Sequence, residues 1–206
     1  MIEAFIHGTA LAFGLILPLG VQNVFIFNQG ATQKRFLRAA PAIITASICD
    51  TILILLAVTG VSIIIFRFEW LTNLIFIIGF CFLIYMGWSI FRSDAENEGK
   101  QQKNVQLTAK RQIIFATSAS FLNPHAIIDT IGVIGFNSLS YKGNELVIFA
   151  LSCISVSWIW FFGLAIAGRI LGKVDTTGKL IKRFNQVSAF IIWGIAVYIG
   201  IKVIGD

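Results

Sequence analysis

Charge is scarce in this sequence. Of 206 residues, 13% are Asp, Glu, Lys or Arg, while 57% are hydrophobic. A chain so composed cannot clothe itself for water, and a mean hydropathy of +0.84 places it with integral membrane proteins. Proline and cysteine are also rare, at three each. Cys49, Cys81 and Cys153 lie apart on apolar segments without CxxC or metal-ligand spacing, so they read as small buried hydrophobes. No cofactor is implied. GxSxG and HExxH are absent, and nothing outside the apolar stretches is long enough for a soluble catalytic domain, which argues against an enzyme. The net charge of +6 does not point to nucleic acid, because the basic residues sit between apolar runs. The N-terminus lacks a basic leader and a small-residue cleavage site. Its apolar run holds Pro18, Gln22 and Asn23, so we read it as a span and not a signal peptide.

What is present is long hydrophobic runs. A spanning helix needs about 20 largely apolar residues. Six stretches qualify: 4–27, 39–66, 70–91, 112–136, 146–168 and 186–204. The second is overlong, so it tilts or ends near Gly60. The sequence thus predicts an all-α membrane protein, one integral domain over 1–206. Thirteen of the sixteen Lys and Arg residues fall in the loops after the first, third and fifth stretches. Only Arg67, Lys142 and Lys202 lie opposite. Cytoplasmic loops carry the excess of Lys and Arg, so both termini are expected outside.

Internal similarity is faint but ordered. Pro18 precedes Asn23 by five residues, and Pro124 precedes Asp129 by five. Phe76-Ile77-Ile78-Gly79 with Tyr85-Met86-Gly87 resembles Phe190-Ile191-Ile192 with Tyr198-Ile199-Gly200. Two three-helix halves follow, about 1–91 and 112–206, joined by a polar linker at about 92–111. Three is odd, so the halves insert in opposite senses, as in many secondary transporters. The helices are expected to break at Pro18 and Pro124.

The polar residues inside the spans carry the functional reading. In Phe121-Leu122-Asn123-Pro124-His125, Asn is a good N-cap and Pro suits a first helical position. This reads as a fresh helix start in mid-span, with free N–H groups and partial positive charge. His125 and Asp129 are four apart and share a helical face. In Leu17-Pro18-Leu19-Gly20-Val21-Gln22-Asn23, Pro18 and Gly20 release backbone groups. Gln22 and Asn23 either satisfy those groups, bind a ligand or join helices. Asp50 lies near the middle of the second span, where a carboxylate costs roughly 2.5–3.5 kcal/mol on insertion scales. It is either protonated and hydrogen-bonded, for example to Ser47, or paired with a cation. No Lys or Arg sits near mid-membrane to neutralise Asp50 and Asp129. Their partner is therefore expected from outside: a cationic substrate, a metal ion or protons. His125 either supports one acid, relays a proton or is a satisfied polar group. Trp158 and Trp160 lie deep and read as core packing more than pore lining.

These motifs, Leu17 through Gly30, Leu122-Asn123-Pro124-His125 with Asp129-Thr130, and Trp160-Phe161-Phe162-Gly163-Leu164-Ala165, resemble those of the LysE family of basic amino acid exporters. The resemblance runs the length of the chain, with Asp50 where the family has an acid. It implies export of L-lysine or L-arginine across the bacterial cytoplasmic membrane, coupled to potential and protons. It makes Asp50 and Asp129 candidates for the substrate cation, and Asn123, Pro124 and Gly20 candidates for its carboxylate. Val21 stands where the family often has Pro, and the Pro-Gly-Pro of related threonine and homoserine exporters is absent. A relative carrying neutral amino acids or a divalent cation is the alternative. Homo-oligomerisation through glycine-lined faces is compatible with the sequence, but no face stands out.

Overall fold

A computed structural model describes residues 1–18, 20–60, 69–92, 106–175 and 177–205, with the side chains of 69–73, 125 and 202–205 outside that description. Among the described residues the chain is helical, without strands. In order it forms α1 (Ile2–Ile16), α2 (Val21–Thr32), a 3-10 turn (Phe36–Arg38), α3 (Ala40–Val58), α4 (Glu69–Arg92) and α5 (Ala109–Phe121). Then come α6 (Pro124–Ile127), a π-helical segment (Ile128–Ile134), α7 (Gly135–Ser138), α8 (Asn144–Val174) and α9 (Lys179–Gly205).

Among the described residues, four helical stretches are individually long and apolar enough to cross a membrane: Ala40–Val58, Leu74–Arg92, Asn144–Val174 and Lys179–Ile201. A fifth results if α1 and α2, bent by 79°, form one span. The chain is thus a multi-pass membrane protein. The stretch 112–136 is divided among α5, α6, the π segment and α7. Most of the expected linker, residues 93–105, lies outside the described residues, as does 61–66.

Local chemistry accounts for several ends. α3 stops at Val58, and Gly60 follows at φ 85°, a left-handed conformation that glycine adopts without a Cβ penalty. Its N–H donates to Ala57 O at 3.2 Å, satisfying one carbonyl left over at the helix end. Pro124 opens α6, where its missing N–H costs nothing. Its ring packs against Gly79 of α4, a position with no room for a Cβ.

α8 is the central element, with α1, α2 and α3 packed along it. Backbones of α2 and α8 nearly touch. A Cβ at Gly30 would fall on the Ala165 carbonyl, and one at Gly168 on the Phe27 carbonyl. Small residues at such points let membrane helices gain van der Waals contact without a hydrophobic drive from water. α4 and α9 form a second close pair, joined by Phe91, Phe190 and Trp193. Val21, Val24, Leu83, Met86 and Ile192 fill the seam between that pair and α2.

Candidate functional site

Two breaks between helices, from α1 to α2 and from α5 to α6, border one cavity among the helices. Its volume is about 90 Å³, enough for several waters at roughly 10–15 Å³ each. Gly20, Gln22 and Asn23 from the first break line it, as do Asp50 of α3, Asn123 before α6 and Asp129 of the π segment. Sequence separations beyond a hundred residues are thereby closed. Pro124 is fully buried against α4 and does not line the cavity. The side chain of His125 lies outside the described residues.

Asp50 is held from two sides. Gln22 Nε2 donates to its Oδ1 at 3.3 Å, and the Ser157 hydroxyl of α8 hydrogen-bonds the same carboxylate. An ionised carboxylate offers about four lone-pair sites, so two neutral donors leave acceptor capacity towards the cavity. Among the described residues no Lys, Arg or His lines the cavity. No group of three His, Cys, Asp or Glu suited to a metal ion occurs among them either.

Asn23 works on the break itself. Its Nδ2 donates to Ile16 O at 2.7 Å and to Pro18 O at 2.9 Å, two carbonyls that α1 leaves behind as it ends. Its Oδ1 accepts from the Trp160 indole N–H at 3.3 Å. Both amide donors are therefore committed to backbone. Replacing Asn23 with Ala strands the Ile16 carbonyl and the indole N–H, at about 1–3 kcal/mol for each group left unsatisfied, while Pro18 O keeps the Gly20 N–H at 2.8 Å. We expect Asn23→Ala to lower the unfolding midpoint in detergent by roughly 5 °C or more for a chain of this size. An unchanged midpoint would remove this role.

Ser157 escaped the sequence reading, and Thr130 entered it only as part of the Asp129-Thr130 motif. Both line the cavity, but lone hydroxyls on apolar helices carry no distinguishing signal. The π-helical geometry around Asp129 was equally unmarked, although single π turns recur at functional sites. Trp158 donates to Thr51 Oγ1 at 3.1 Å, and neither Trp158 nor Trp160 lines the cavity. Arg169, expected in a loop, lies within α8. Its guanidinium donates to Gln33 O and, at 2.9 Å, to Lys34 O, holding the turn that follows α2.

A multi-helix membrane protein whose largely apolar cavity holds two acids and borders two breaks between helices has the layout of a transporter. Comparison with known proteins gives the family. The family model for LysE type translocators matches residues 13–203, and the chain belongs to that family. It is 52% identical over 200 residues to the putative amino-acid transporter YisU of Bacillus subtilis, covering 97% of this chain and 90% of that one. It is 33% identical over 198 residues to the arginine exporter protein ArgO of Shigella flexneri, covering 95% and 92%. The Escherichia coli K12 arginine exporter protein ArgO is 32% identical over 198 residues. No solved structure matches.

Proposed function

We propose that this protein exports basic L-amino acids, arginine or lysine, from the bacterial cytoplasm by alternating access. The observation that carries the reading is one cavity bearing two acids and two helix starts. A basic amino acid has a carboxylate and a second cation, and this lining is complementary to both. The side-chain cation pairs with Asp50 and Asp129. The α-carboxylate meets backbone N–H groups in the first turns of α2 and α6, beside Gly20, Gln22 and Asn123. The similarity to arginine exporters supports the substrate class.

The chain crosses the membrane six times in this reading. Its two inverted halves meet at the cavity, and both termini lie outside, following the Lys and Arg bias. α1 and α2 make one broken crossing, and the run from α5 to α7 makes another. A membrane potential positive outside opposes export of one positive charge by about 2.3 kcal/mol per 100 mV. Inward proton movement through Asp50 and Asp129 offsets that cost, because an acid that releases its proton inside is ready for the next cation.

Proteoliposomes carrying labelled arginine or lysine under an imposed proton gradient test this. Wild type should give gradient-dependent flux that cold basic amino acids compete away. Asp129→Asn should reduce it at least about tenfold, the equivalent of 1.4 kcal/mol. Folded wild-type protein that passes neither amino acid overturns the proposal.

A further inference from the structure

A row of contacts leads from the cavity towards the basic end of the molecule. On α2, Val21 lines the cavity, Val24 follows one turn on, and Asn28 another turn beyond. On α9, Ile195 and Ile192 line the cavity, and Ser188 and Asn185 continue the same face at helical spacing. Asn28 Nδ2 donates to Asn185 Oδ1 at 2.7 Å, and Phe27 stacks on Phe184 with ring centroids 4.2 Å apart. Beyond this point come Lys34 and Arg35 on one side and Lys179, Lys182 and Arg183 on the other.

The polar groups of this seam are poorly matched to a permanent dry contact. Asn28 Oδ1 and Ser188 Oγ are buried without a hydrogen-bond partner, while Asn185 is 5% and Ser188 0% exposed. Buried polar atoms are normally paired, so each exception asks for an explanation. A cross-helix Asn pair can join membrane helices, but association alone gives no reason for two of the seam's buried polar atoms to stay unpaired.

We infer that the α2–α9 seam is the inner gate of the transport path: closed here by the Asn28–Asn185 hydrogen bond and the Phe27–Phe184 stack, it opens to let the amino acid pass along Asn28, Asn185 and Ser188. This rests on the exporter reading. In the open state Asn28 Oδ1 accepts from the substrate's ammonium or guanidinium group, and Ser188 joins the wet wall. α9 moves with α4, to which it is closely packed, while α2 stays with α8, to which its backbone is locked.

The test is a cysteine pair, N28C with N185C, in a chain whose Cys49, Cys81 and Cys153 are replaced by Ala. Mercuric ion should bridge the thiols, cut arginine flux at least tenfold, and release it on adding dithiothreitol; each single cysteine, which mercury can label but not bridge, should lose severalfold less flux than the pair, and equal losses overturn the gate. Bridging without loss of flux, or thiols that do not bridge, overturns the gate. N28L with N185L in the otherwise native chain covers failure of the cysteine-free background. A dry apolar seam should stay shut, cutting flux at least tenfold with the unfolding midpoint undiminished, and wild-type flux from this variant overturns the gate. Wild-type vesicles that pass neither arginine nor lysine count against the exporter reading. The gate is then judged by maleimide labelling of N185C, which an opening seam permits and a permanent contact prevents.

Discussion

Replacing Asp50 with Asn lowers arginine flux by roughly 150- to 4000-fold, the equivalent of ~3–5 kcal/mol for a buried charge that loses its partner. The substitution keeps the side chain's shape. The Asn oxygen still accepts from Gln22, as Asp50 Oδ1 does at 3.3 Å, and its amide can donate to the Ser157 oxygen. Insertion and folding should therefore persist, and the unfolding midpoint should stay within a few degrees of wild type. What disappears is the negative charge facing a cavity in which, among the described residues, no cationic side chain stands. A cationic substrate then enters a site with one acid instead of two. Flux and midpoint measured on the same preparation separate this from a folding defect. Asp50→Asn protein that exports arginine at the wild-type rate would move the cation site away from α3.

Asp50 was legible because lipid makes a carboxylate expensive, so an acid in an apolar run demands a reason. The same logic exposed Asp129, and the Pro and Asn pairs around 18–23 and 123–124 stood out because they interrupt helix. That Pro18, Asn23, Asp50, Asn123 and Asp129 line one cavity follows from packing, since periodicity within a span says nothing of which faces meet. The role of Asn23 was also open in the sequence. An amide beside a helix break can serve ligand or backbone, and only its short bonds to Ile16 O and Pro18 O distinguish them. Arg169 was misplaced because a charge ends an apolar window, whereas α8 runs to Val174 and directs the guanidinium onto carbonyls beyond α2. Gln112 was hidden similarly. It sits at the edge of a span, yet it is 1% exposed and ties Arg38 O and Leu107 O together at 2.9 and 3.0 Å. Such links between loops depend on tertiary placement that a single sequence does not encode visibly.

Two alanine substitutions on one helix should move stability in opposite directions. Gly to Ala within a helix ordinarily stabilises by about 0.5–1 kcal/mol, because alanine loses less backbone freedom. Gly163 of α8 has nothing within 4 Å of an added Cβ, so Gly163→Ala should show that gain, raising the midpoint by about 1–4 °C. Gly168 lies five residues on, where an added Cβ would fall on the Phe27 carbonyl oxygen with the Ala31 backbone N also near. Backbone cannot swing aside as a flexible side chain can, so α2 and α8 must separate along a contact that also includes Gly30 and Gly172. Overpacking costs about 1–3 kcal/mol and occasionally more. Because this clash is with backbone we expect the upper end, a midpoint lower by roughly 6–12 °C. The displacement reaches function through the helix itself. α2 carries Gln22 and Asn23 at its start, so moving its far end off α8 tilts both against Asp50 and Trp160. Gly168→Ala should thus lose flux as well as stability, while Gly163→Ala keeps both. Equal behaviour of the two variants would mean that the α2–α8 approach is looser than the structure has it, and that α2 is not held by α8 when α9 moves.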